Sequence, residues 1–137
     1  MKGLFVDTGG WYACADRTDR AYAAARSARD AWLADGGLLV TTDYVLAETL
    51  TLLRRRLDVA ATQDWWEHVQ ATPRLRWEWV GMERAEKARE MFFHHRDKDY
   101  SFTDCTSFVV MKELKLRHAL TVDKHFTQAG FQILPTA

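Results

Sequence analysis

Four short apolar runs constrain this fold more than any other feature: GLFV (3–6), GLLVT (37–41), HALTV (118–122) and FQIL (131–134). Each has the length of a strand and is too short for a helix, and none shows the regular polar alternation of a strand with one wet face. Runs of this kind belong to parallel strands covered on both sides. Helical spacing fills the intervals. Tyr22, Ala25, Ala28, Trp32 and Leu33 recur at helical offsets in a segment from about Arg17 to Ala34, which Gly36 ends. Thr42 is placed to cap a helix reaching about Arg56, and another helix covers Ala60 to Gln70 before Pro73. Two more are expected, from Met82 to Phe93 and from Phe102 to Leu114. Between them, Leu75, Trp77 and Trp79 alternate with Arg76 and Glu78, the period of a strand with one covered face, which suits a sheet edge. Strands that alternate with helices predict an α/β fold, a doubly wound parallel sheet of about five strands flanked by helices.

A chain of 137 residues fits one domain, 1–137, that buries its core without disulfides or a structural metal. Hydrophobic residues at 47% and charged residues at 28% exclude a disordered chain. Only a four-residue apolar stretch precedes Asp7, and no later stretch approaches a membrane span, so a cytoplasmic protein without a membrane partner is expected. Cys14 and Cys105 match no zinc or redox spacing and read as reduced, buried side chains. With 19 basic and 19 acidic residues the net charge is zero, so any polyanion must be met by a local patch.

The acids gain meaning from this skeleton. Asp7 closes the first strand and Asp123 the strand at 118–122, and the carboxyl ends of strands in a doubly wound sheet border the crevice where ligands bind. Glu48 follows Val45 and precedes Thr49 and Leu52 at helical offsets, which predicts a position beside the apolar stripe. Asp104 shares a helical face with Phe108 and Met111. Each acid also has a purely structural reading: Ser101-Phe102-Thr103-Asp104 is a capping box, Asp7 precedes Gly9-Gly10 as in a turn, and Asp123 can cap a short helix through Phe126. Convergence is what separates the two readings. Carboxylates about 4 Å apart repel by roughly 4 kcal/mol per pair at an effective dielectric near 20, so a cluster requires protonation or a cation. Oxygen-rich clusters suit Mg²⁺ or Mn²⁺ and, through them, phosphate chemistry.

VDT (6–8), LAET (46–49), DYSFTDCTSF (99–108) and LTVDKHF (120–126) resemble the ordered acidic motifs of the PIN domain, and specifically of VapC-type toxins. The resemblance covers essentially the whole chain. It implies a PIN-like sheet and a metal-dependent endoribonuclease, with Asp7, Glu48, Asp104 and Asp123 as the acidic metal-site and catalytic residues and Thr8 and Thr103 as neighbouring hydroxyls. It further implies Mg²⁺ or Mn²⁺ as cofactor, RNA as substrate, products with a 5′-phosphate and a 3′-hydroxyl, a cognate antitoxin and a homodimer. Gly9-Gly10-Trp11 departs from the family pattern, in which Ser or Ala and aliphatic residues are frequent.

Lys112, Lys115, Arg117, His118 and Lys124 flank the acidic motifs, and Lys112, Lys115 and Lys124 are the RNA-backbone contacts expected. Arg54-Arg55-Arg56 suits a helix C-terminus as well as a phosphate. His94-His95, adjacent on a helix, point in different directions and read as a solvated helix end. Trp32, Leu53, Trp65 and Trp66 are expected to border a groove for an inhibitory partner. Two other functions fit such a fold: a catalytically silent binding module, and a different doubly wound phosphate enzyme. Asp7 followed by Thr8-Gly9 lacks the second acid of a haloacid-type phosphatase, and no Asp and Lys pair marks a phospho-acceptor domain.

Overall fold

The structure, a computed structural model, describes residues 1–136. The chain forms β1 (Gly3–Val6), α1 (Thr8–Ala15), α2 (Tyr22–Ala34), β2 (Leu38–Thr42), α3 (Asp43–Arg56), α4 (Val59–Ala71), β3 (Leu75–Glu78), α5 (Gly81–His94), α6 (Phe102–Glu113), β4 (His118–Leu120), α7 (His125–Gln128) and β5 (Gln132–Leu134). The strands make one five-stranded sheet in the order β3-β2-β1-β4-β5, and every pairing is parallel. None of the described helices is long and apolar enough to cross a membrane.

The central strand, β1, pairs Phe5 with Val40 on one side and with Ala119 on the other. Leu4, Phe5 and Val6 are fully buried, which accounts for the unbroken apolar run. From β1 the chain winds outward through β2 to β3, then crosses back to β4 and β5. The winding direction reverses between β1 and β4, and strands diverge from their connections there, leaving a crevice at their carboxyl ends. Asp7 lies just beyond one of these strands, and Thr121, Val122 and Asp123 lie just beyond the other.

Aromatic packing fixes α6 and α7 over this crevice. Phe108 of α6 meets Phe126 of α7 edge-on at 5.0 Å, and Phe126 stacks on Phe5 at 6.3 Å. All three rings are fully buried, at about 1.5–3 kcal/mol each.

Helix α1 carries no helical signal in the sequence. Its glycines are poor helix formers, and it is buried all round, so it presents no amphipathic period. Gly10 is required there because a Cβ would collide with the Leu120 carbonyl oxygen, so the departure at Gly9-Gly10-Trp11 lets the helix lie against β4. The next helix starts at Tyr22 and not near Arg17, because the Asp16 carboxylate holds a turn by accepting from Thr18 N–H (2.9 Å) and Thr18 Oγ1 (2.7 Å). Trp79 falls outside β3 and is exposed. Cys14 and Cys105 are buried free thiols. Leu53 and Trp65 are core residues, Trp66 packs on Trp77, and Trp32 packs on His118. Burial takes Leu53 and Trp65 out of any partner groove, whereas Trp32 and Trp66 are only partly buried.

Candidate functional site

Asp7 occupies the N-cap position of α1 with extended backbone, yet its side chain makes no capping bond. Instead Oδ2 accepts a hydrogen bond from Thr121 Oγ1 at 3.1 Å. Only 4% of the residue is exposed. Burial, reinforced by the nearby Asp104 charge, pushes the Asp7 carboxyl up to about 7, against the opposing pull of the Thr8 amide and the Thr121 hydroxyl.

Asp104 unites both readings of its motif. The capping box is complete: Asp104 N–H donates to Ser101 Oγ (2.9 Å) and Ser101 N–H donates to Asp104 Oδ2 (3.1 Å). The same Oδ2 lies 3.0 Å from His125 Nδ1, and among the described residues no donor reaches Oδ1. Burial, with the Asp123 charge adding to it, raises this carboxyl too, although the Ser101 amide and His125 oppose the shift.

Asp123 belongs to the turn between β4 and α7. Its N–H donates to Thr121 Oγ1 (3.0 Å), and its Oδ1 accepts from His125 N–H (2.9 Å) and faces His125 Nδ1 (3.2 Å). Glu48 is exposed on α3. Expected beside the apolar stripe, it stands outside it, because Val45 and Thr49 fill the buried face.

These acids line one cleft of ≈ 370 Å³ together with Thr8, Gly9, Asp99, Ser101, Val122 and His125. A larger, mainly apolar groove of ≈ 740 Å³ shares Thr8 and Glu48 with it and runs past Tyr44, Ala47, Leu52, Arg55 and Thr103. The N-terminal ends of α1 and α6 carry Asp7 and Asp104, where partial positive charge favours carboxylates.

The residues fit a divalent cation. Ligand atoms of Asp104, Asp123 and His125 lie within 4.8 Å of one another, a span that can surround an ion with contacts near 2.1 Å. Thr8 Oγ1 is buried in the same place with no hydrogen-bond partner, a polar atom left for a ligand or its water. The donor set is mostly carboxylate oxygen, which suits Mg²⁺ or Mn²⁺.

Of the predicted basic contacts, Lys124 adjoins Asp123. Lys112 sits in the last turn of α6, eight residues beyond Asp104 and so about 12 Å along the helix axis, and Lys115 follows the helix end. Arg117 and His118 stand at the amino end of β4. Two cleft residues escaped the sequence reading. Asp99 lies in an irregular segment without periodicity, and His125 was legible only as an i+2 neighbour of Asp123 in an Asx-type turn.

A model of the PIN domain matches residues 4–132. The chain belongs to the PIN-domain family. This PIN domain is 33% identical over 132 residues to the 23S rRNA-specific endonuclease VapC20 of Mycobacterium tuberculosis, a match that covers 93% of the chain and 95% of the relative, in each of two strains. The crystal structure of VapC20, described as a sarcin-ricin loop cleaving toxin, superimposes with a TM-score of 0.84 at 32% identity over 93% of this chain and 95% of that one. FitAcB from Neisseria gonorrhoeae, at 14% identity and a TM-score of 0.66 over 95% of each chain, shares the fold.

Proposed function

We propose that this PIN domain is a Mg²⁺- or Mn²⁺-dependent endoribonuclease, the toxin of a toxin-antitoxin pair, and that it cleaves the sarcin-ricin loop of 23S rRNA in the cytoplasm. The carrying observation is convergence: Asp7, Glu48, Asp104 and Asp123 come from separate elements and line one cleft at the switch point of the sheet. Near-full-length identity to an rRNA endonuclease supports the substrate class.

Asp7, Asp104 and Asp123 would hold the ion, with Glu48 at the rim. The chemistry such an ion would supply there is activation of a water for in-line attack and stabilisation of the leaving oxygen. The chain's own residues keep the carboxylates aimed: Ser101 and His125 hold Asp104, and the Asp123 turn is closed by its bond to the His125 amide. Asp7, buried and inclined to keep its proton at neutral pH, must release it before it can act as a ligand. Lys124, exposed beside Asp123, is placed to contact phosphate. The apolar groove next to the cleft, with Tyr44 and Leu52 in its wall, is the seat assigned to an antitoxin segment. A homodimer belongs to the same reading.

The test is incubation of the purified protein with bacterial ribosomes and Mn²⁺ or Mg²⁺, followed by mapping of new 5′ ends. One cut in the sarcin-ricin loop, lost on chelation and in Asp7→Asn, is expected. Intact 23S rRNA after exposure to folded, metal-saturated protein would overturn the substrate assignment, and the absence of any RNA cleavage would overturn the nuclease.

A further inference from the structure

Thr121 is fully enclosed, with 1% of its surface exposed, and is the first residue beyond β4. Its backbone is fixed from the β5 side, where its N–H donates to the Leu134 carbonyl at 3.0 Å, and Asp7 N–H is fixed to the Leu120 carbonyl at 3.1 Å. The Thr121 hydroxyl therefore stands at a set position between the ends of two neighbouring strands.

The hydroxyl accepts from Asp123 N–H at 3.0 Å and lies 3.1 Å from Asp7 Oδ2. A hydroxyl has one proton. An amide donor occupies one of its lone pairs, and Asp7 in the ionised form that a cation requires can only accept, so the proton points at Asp7. The chain runs Asp123 N–H to Thr121 O–H to Asp7 Oδ2, and each bond polarises the next. One hydroxyl thus fixes the rotamer of one cleft acid and the backbone turn of another.

We infer that Thr121 is a positioning residue of the cation site, whose hydroxyl holds Asp7 and Asp123 in the relative geometry that binds the ion. This rests on the metal-dependent reading of the cleft above. Outer partners of this kind typically change metal affinity or activity 10- to 100-fold when removed. Thr121→Val keeps the branched shape and deletes the hydroxyl.

The experiment titrates Mn²⁺ into RNA-free protein by calorimetry and, separately, measures cleavage and thermal melting. Thr121→Val is expected to weaken Mn²⁺ binding by roughly 10- to 100-fold and to lower kcat with little change in KM for RNA, while Thr121→Ser restores both to within about threefold. Thr41→Val is the matched control. Thr41 is a buried hydroxyl that bridges Trp11 Nε1 (3.2 Å) and the Val6 carbonyl (3.0 Å) without touching a cleft acid, so its loss lowers the melting temperature and leaves Mn²⁺ affinity in place. If wild type binds Mn²⁺ and cleaves RNA but Thr121→Val binds Mn²⁺ within twofold of it, the inference fails and the nuclease stands. If wild type binds no Mn²⁺, the parent reading fails first. Should Thr121→Val not fold, Thr121→Ser against Thr121→Ala decides the same point: equal Mn²⁺ affinity in the two overturns the role of the hydroxyl.

Discussion

Asp104 and His125 are joined by a hydrogen bond of 3.0 Å across 21 residues of sequence, between the first turn of α6 and the first residue of α7. His125 Nδ1 faces carboxylate oxygens of Asp104 and Asp123, so this nitrogen carries the proton and donates. It occupies Asp104 Oδ2 together with the Ser101 amide, which commits that oxygen to the protein.

His125→Ala is therefore expected to reduce kcat/KM by about 10- to 100-fold, with a small change in stability because the ring is only partly buried. His125→Asn offers an amide N–H near the same place and should recover part of the loss. Steady-state cleavage of an rRNA fragment measures both. Activity of the alanine variant within twofold of wild type would remove His125 from the site.

The two roles of Asp104 separate by mutation. Ser101→Ala deletes the cap acceptor and is expected to cost about 1 kcal/mol, seen in a denaturant melt, with cleavage per folded molecule largely retained. Asp104→Asn keeps an oxygen able to accept from Ser101 N–H, so it should hold its fold and lose turnover. An Asp104→Asn protein that unfolds, yet cleaves normally in its folded fraction, would reduce Asp104 to a capping residue.

The Asp7 carboxyl, pushed up to about 7 by burial and by Asp104, makes the metal-free fold sensitive to pH. The folded state holds a proton that the unfolded chain, with the ordinary value of 3.8, releases. That contribution to stability is complete below about pH 4 and is lost as the pH rises through about 7. Asp104, also raised, acts in the same direction. Asp7→Asn is thus expected to melt several degrees above metal-free wild type near pH 8, with the gap shrinking toward pH 5. Mn²⁺ should raise the wild-type melting temperature near pH 8 and leave Asp7→Asn nearly unmoved. A constant gap across this range would show that Asp7 ionises freely in the fold.

Gly10→Ala tests whether α1 must lie against β4. The added Cβ meets a backbone carbonyl, which cannot rotate away, so the loss should exceed the roughly 1–3 kcal/mol usual for an overpacked core. Gly36→Ala is no substitute control because Gly36 has φ +88. Ala24→Gly, on the exposed face of α2, should cost only about 1 kcal/mol. Chemical denaturation of the pair gives the comparison.

Much of this protein is written locally. Apolar runs identified β1, β2, β4 and β5, and Thr42 capped α3 as expected, its side chain accepting from Val45 N–H. Period-two alternation found β3 at the sheet edge. Strand length and helix caps depend on neighbours in sequence, so sequence determines them. Asp7, Glu48, Asp104 and Asp123 could likewise be picked out by their positions at strand ends and helix starts. Only the tertiary structure decided how they stand to one another. The α1 helix is enclosed by the sheet on one side and by α2 and α3 on the others, a setting that no periodicity records. Glu48 is exposed because Val45 and Thr49 take the buried face of α3, a choice made by packing mainly against α1 and α4. Thr121 and His125 act through bonds to residues 114 and 21 positions away, Asp7 and Asp104. Hydrogen bonds of that range depend on which strands the winding brings side by side, and in this chain the reversal between β1 and β4 brings them together.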